Sequence, residues 1–162
     1  MIDFAALYAQ HAGAVFRFAL ALSGNRAMAE DIVSETFVRV WGARDRLDLG
    51  TVIGYLLTIA RHLYLEQLRR EWRSGPLDPN ARDAAPDPLA IAQGKAELEA
   101  ALADMQTLHE PDRAALLMRA QDQMQYEEIA AALGIGAGAA KVKVHRARRR
   151  MAELRLRREN QS

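Results

Sequence analysis

The sequence predicts an all-α protein built as two small helical domains, a three-helix bundle and a helix-turn-helix domain, joined by a proline-rich linker. Three observations predict it. Apolar residues recur at steps of three, four and seven along most of the chain, the period of amphipathic helices, and neither a strand pattern nor an internal repeat is present. Four of the five prolines fall between Ser74 and Pro88, beside Gly75, Asn80 and several aspartates, a composition that sustains neither helix nor strand. The 162 residues, half of them hydrophobic, suffice for one ordinary domain or two small ones. The expected division is residues 1–73, a linker over 74–88, and residues 89–162.

Phe4, Leu7, Tyr8, Val15, Phe18 and Leu22 mark the first helix, which Ser23-Gly24-Asn25 breaks. Met28, Ile32, Val33, Phe37, Val40 and Trp41 mark the second, with Asn25 as its cap and Glu30, Asp31, Ser34, Glu35 and Arg39 on its other face. A third helix runs from about Thr51 to Trp72, with Ile53, Leu56, Leu57, Ala60, Leu63 and Tyr64 inward. Past the linker, Leu89 to Leu108 is helical by composition and period. Pro111, suited to a first turn, starts another helix through Ala120. Two more follow, Tyr126 to Leu133 and about Ala137 to Leu156.

Composition excludes several classes of function. The absence of cysteine removes disulfides, thiol catalysis and Cys-ligated zinc. No apolar run approaches a membrane span and the N-terminus lacks a basic signal-peptide start, so a cytoplasmic protein without membrane insertion is expected. His11, His62, His109 and His145 form no ligand spacing with carboxylates, and the Gly134–Gly138 glycines with Lys141 fit no phosphate-binding loop. No Ser, His and acid arrangement has a nucleophile context. No enzyme activity, catalytic residue, metal or cofactor is therefore expected.

The net charge of +1 argues against a nucleic-acid partner until it is divided along the chain. Residues 97–140 carry −6 and residues 141–162 carry +7, while the remainder nearly balances. Such segregation fits either a charged partner or an acidic helix packed on a basic one. The segment YEEIAAALGIGAGAAKVKVHRARRRM, 126–151, has helix-turn-helix spacing: Gly134 supplies a left-handed cap, Ile135 plugs the core, and Ala140, Val144, Ala147, Met151 and Leu154 form the inner stripe. Lys141, Val142, His145, Arg146, Arg148 and Arg149 then face outward, where they can reach a DNA major groove or form a solvated basic face. The third helix, GYLLTIARHLYLEQLRR over 54–70, interleaves aromatic and basic residues on what reads as its outer side. Tyr55, Arg61, His62, Arg69, Arg70 and Trp72 could stack unpaired bases and hold their backbone, or could be the edge of an ordinary amphipathic helix.

In this order the segments resemble the extracytoplasmic-function group of bacterial RNA polymerase sigma factors, the compact type with regions two and four alone. AEDIVSETFVRVW, 29–41, resembles the region-two helix that docks on the β′ clamp helices of core RNA polymerase. The 54–70 segment resembles the helix that engages the −10 promoter element, and 126–151 resembles region four, which reads the −35 element as duplex DNA. The resemblance implies that Asp31, Ser34, Glu35 and Arg39 face the polymerase. It assigns Asp48, Thr51, Tyr55, Arg61, His62, Arg69 and Arg70 to −10 DNA, and Lys141, Val142, His145, Arg146 and Arg149 to −35 DNA. Ser34 stands where glutamine is usual, Tyr55 where tryptophan is frequent and His62 where asparagine is. Ala139, Ala140 and Val142 replace the common threonine, valine and serine. The implied function is promoter-directed transcription initiation, restrained by an anti-sigma factor. A sigma-like protein that sequesters an anti-sigma factor without binding DNA is the alternative, and a dimeric helix-turn-helix repressor is third.

Overall fold

The computed structural model describes residues 3–43, 51–74 and 95–161, and these residues form seven α-helices and no strand. Helix α1 spans Phe4–Ser23, α2 Arg26–Gly42, α3 Val52–Arg73, α4 Ala96–Gln106, α5 Glu110–Ala120, α6 Tyr126–Leu133 and α7 Ala137–Gln161. Local chemistry sets the ends. The Asp3 carboxylate accepts from the Ala6 N–H at 3.2 Å and the Asn25 side chain from that of Met28 at 2.9 Å, each satisfying a donor that the first turn leaves without a partner. Gly24 and Gly134 close α1 and α6 in the left-handed region, at φ 67° and 70°. Pro111 lies in the first turn of α5.

The first three helices form the expected bundle around Val15, Phe18, Leu22, Phe37, Val40, Leu56 and Leu57. Tyr8 and Trp41, whose periodicity matches the inner stripe, are half exposed and close the bundle's edge: Tyr8 meets Phe37 edge-on at 4.8 Å and Trp41 meets Phe4 at 5.0 Å. In the C-terminal unit α5, α6 and α7 surround Leu117, Met118, Ile129 and Val144, with Ala140 and Ala147 on the stripe the sequence predicts and Ile135 half-buried beneath. Helix α4 buries no residue fully and runs from Ala96; residues 89–94 of the expected helix lie outside the described residues, as does nearly all of the linker. Helix α7 continues to Gln161, past the expected end.

The two units pack against each other, and their buried residues make one continuous cluster. Helices α1 and α3 both meet helices of the C-terminal unit. Gln106 at the end of α4 donates from Nε2 to the Ala21 carbonyl at 2.7 Å and crosses directly over Gly24. A Cβ at Gly24 would lie 2.8 Å from Gln106 Cδ, so this glycine serves both its backbone conformation and the close approach.

Gly24→Ala is expected to destabilise the chain by about 1–2 kcal/mol through left-handed strain, plus the loss of the Gln106 contact. Calorimetry should show a melting temperature lower by about 2–4 °C for each kcal/mol, with Gln106→Ala costing less.

Candidate nucleic-acid interface

Helix α7 presents its outward face because Ala140, Val144 and Ala147 commit the opposite stripe to the core. Lys141, Val142, His145 and Arg149 are exposed and, with Gly138, Arg146 and Arg150, line one shallow groove along the helix, which Glu153, paired with Arg150 at 3.4 Å, closes at its C-terminal end. Val142 puts an apolar side chain, 58% exposed, in the middle of this basic surface. Arg146 also faces the groove but has a partner: its Nε and Nη2 donate to the two oxygens of Asp112 at 2.8 and 3.0 Å, and this contact raises its already high pKa further. Lys143, partly buried, places Nζ 3.9 Å from the same carboxylate.

Helix α3 sets Thr51, Tyr55, His62, Arg69 and Arg70 on exposed positions. Thr51 and Tyr55 line a cleft with Gly54 and Thr58 whose far wall is Glu127, Glu128 and Ala131 of α6. Arg61 corrects the sequence expectation of an outward side chain. It is 9% exposed and makes a two-point ion pair with Glu110 of α5, Nε to Oε2 at 2.9 Å and Nη2 to Oε1 at 2.6 Å. Beside it Arg113 donates to the Tyr64 hydroxyl at 3.0 Å and to the Leu108 carbonyl at 2.8 Å, while burial pushes the Tyr64 phenol above its ordinary pKa. The charged ends are largely enclosed because α5 covers this flank of α3. Arg61 and Glu110 satisfy each other, whereas Arg113 bonds through Nη1 and Nη2 and leaves its buried Nε without a hydrogen-bond partner. Asp48 lies outside the described residues.

Helix α2 exposes Asp31, Ser34, Glu35 and Arg39 along a groove shared with α3 and lined also by Met28, Val38, Leu63, Gln67 and Arg70. Arg39 bridges two acids, Glu35 at 3.7 Å and Glu66 at 3.3 Å, and Arg70 approaches Glu66 at 3.9 Å. These exposed pairs contribute little to stability and leave a mixed-charge, half-apolar face. The residues that sequence reasoning missed are Glu110, Asp112 and Arg113. Their signal is position: Asp112 and Arg113 begin an unbroken run of buried residues through Met118, in which a charge must have a specific partner. Among the described residues no three His, Cys, Asp or Glu side chains gather as a metal site, and no helix is long and apolar enough to cross a membrane.

Comparison with known proteins places this chain in a family. Sigma-70 region 2 matches residues 7–74 and sigma-70 region 4 matches residues 98–151. The ECF RNA polymerase sigma factor SigE of Mycolicibacterium smegmatis is 38% identical over 136 residues, covering 79% of this chain and 52% of that protein. SigL of Mycobacterium tuberculosis is 34% identical over 109 residues, covering 59% and 62%. RNA polymerase sigma factor CarQ of Myxococcus xanthus is 33% identical over 130 residues, covering 79% and 75%. The chain therefore spans less than two thirds of the length of SigE and SigL. Among solved structures, the sigma factor RpoE in complex with the anti-sigma factor NepR from Bartonella quintana superposes with a TM-score of 0.81 at 28% identity, covering 94% of this chain and 96% of that one. CnrH in complex with the cytosolic domain of CnrY gives 0.66 at 26%, covering 93% and 86%. The chain belongs to the extracytoplasmic-function group of the sigma-70 family of RNA polymerase sigma factors.

Removing one partner of the buried Arg61–Glu110 pair leaves the other charge without compensation. Because the uncompensated Arg61 regains water if α5 lifts from α3, Glu110→Ala is expected to loosen the two units more than it unfolds them. X-ray scattering should show a larger radius of gyration, with helical circular dichroism retained.

Proposed function

We propose that this chain is a transcription initiation factor that binds core RNA polymerase and directs it to particular promoters. The observation that carries this reading is the outward face of α7, with Lys141, Val142, His145 and Arg149 on the second helix of a helix-turn-helix, in a chain whose α2 and α3 fall within the region-two match. Residues 1–73 act as region two and 89–162 as region four, with 74–88 between them. The exposed acids of α2 with Ser34 and Arg39 meet the β′ clamp helices. Lys141 and Arg149 neutralise phosphates of the −35 duplex while His145 and Val142 face base edges.

On α3, Tyr55, His62, Arg69 and Arg70, with Thr51 and Asp48 preceding them in the sequence, receive bases of the −10 strand as the duplex opens. Preferential binding of the unpaired strand lowers the free energy of the melted state, so opening needs no covalent chemistry from this chain. Arg61 joins that surface once α5 no longer covers it. The chain works in the cytoplasm without a cofactor and is held by an anti-sigma factor. The solved complexes of RpoE with NepR and of CnrH with CnrY support that last step.

Core polymerase supplied with this chain should start transcription from a subset of promoters in a genomic template pool and give a footprint that requires the core. Silence at every promoter, or capture of an anti-sigma factor without polymerase, would overturn the proposal. Lys141→Ala and Arg149→Ala should each weaken holoenzyme binding to promoter duplex and flatten its salt dependence by about one unit of log–log slope. An unchanged slope would remove that residue from the phosphate contacts.

A further inference from the structure

We propose that Asp112, a residue of α5 off the DNA-facing helix, is a specificity-determining positioning residue that holds Arg146 ready to read a guanine. This inference rests on the reading of α7 as the −35 recognition helix. The Asp112 side chain is 8% exposed and that of Arg146 is 58% exposed, so the carboxylate is enclosed while the guanidinium remains in the groove with Lys141, Val142, His145 and Arg149. The two-point contact uses Nε–H and one N–H of Nη2, at 2.8 and 3.0 Å. A guanidinium carries five N–H donors in a rigid plane. The end-on edge, one N–H from each terminal nitrogen, is still intact, and that fork matches the O6 and N7 acceptors of guanine in the major groove.

An arginine on a bare helix face divides its time among many rotamers and meets phosphates as readily as bases. The carboxylate removes that freedom before DNA arrives, so less ordering accompanies binding and the donor edge has one orientation. Lys143 at 3.9 Å adds a second positive charge to the carboxylate, which offsets the repulsion a buried anion would otherwise exert on nearby phosphates. Asp112 lies in the first turn of α5, so Asp112→Asn keeps the shape, removes one of the two acceptors and gives up only the small favourable interaction of the carboxylate with the helix dipole.

The experiment is selection from a randomised duplex pool by the full chain in holoenzyme with core polymerase, comparing wild type with Asp112→Asn and Arg146→Lys. Arg146→Lys keeps the charge and cannot form the fork. Wild type should enrich guanine at one −35 position, both variants should lose about tenfold of that preference, and enrichment at the other positions should persist. In the background of Arg146→Ala, Asp112→Asn should have no further effect on the selected sequence. Equal loss at every position, an unchanged profile in Asp112→Asn, or no guanine in the wild-type profile would each overturn the assignment. A wild-type holoenzyme that enriches no sequence would overturn the recognition-helix reading itself.

Discussion

The buried ion pair between Arg61 and Glu110 fixes how the two halves of the molecule meet. A charge taken out of water costs several kcal/mol unless geometry restores most of that loss, and the two-point contact of guanidinium with carboxylate is a geometry that does so. It permits a single register of α5 on α3, since a displacement along either helix would break both hydrogen bonds. Arg113, anchored to Tyr64 and the Leu108 carbonyl, enforces the same register from the next turn. The apolar contacts around them fill space but are not directional. The charges select which of the apolar fits is used.

The acidic block and the basic helix, opposed in the sequence, are resolved by the same logic. Glu110 goes to Arg61, Asp112 to Arg146 and Lys143, and Asp104 to Arg158. Asp104, Glu110 and Asp112 of α4 and α5 thus engage flanks of α3 and α7, while Lys141, Arg148 and Arg149 on the outer edge of α7 face solvent. Segregated charge here serves a packing function and a surface function together, and the near-zero total is their sum.

Most of the helical order was legible because its signals are local. Asn25, Gly24 and Gly134 act within a turn of their own position, and the Ala140–Val144–Ala147 stripe repeats at helical spacing. Arg61 was misplaced because residue type outweighed register. Leu57, Arg61 and Tyr64 stand four and three apart, so position 61 falls on the inner stripe, and only the arginine itself suggested an outward face. Its partner is 49 residues away, as Tyr64 is from Arg113, and no local pattern announces a pairing at that separation. The setting of Arg146 escaped for the same reason, with Asp112 34 residues upstream.

The docked arrangement of the two units has a consequence set by connectivity. Ser74 and Lys95 are joined by a 20-residue segment, so α3 and the C-terminal helices are parts of one tethered pair. Tethered partners meet at effective concentrations of about millimolar, and an interface too weak to hold separate molecules together can then stay closed. A ligand in trans that requires the flank of α3 competes against that local concentration, and its apparent affinity falls by the fraction of chains in which the flank is open. The length of the connecting segment, 20 residues in the sequence, is therefore itself a determinant of affinity.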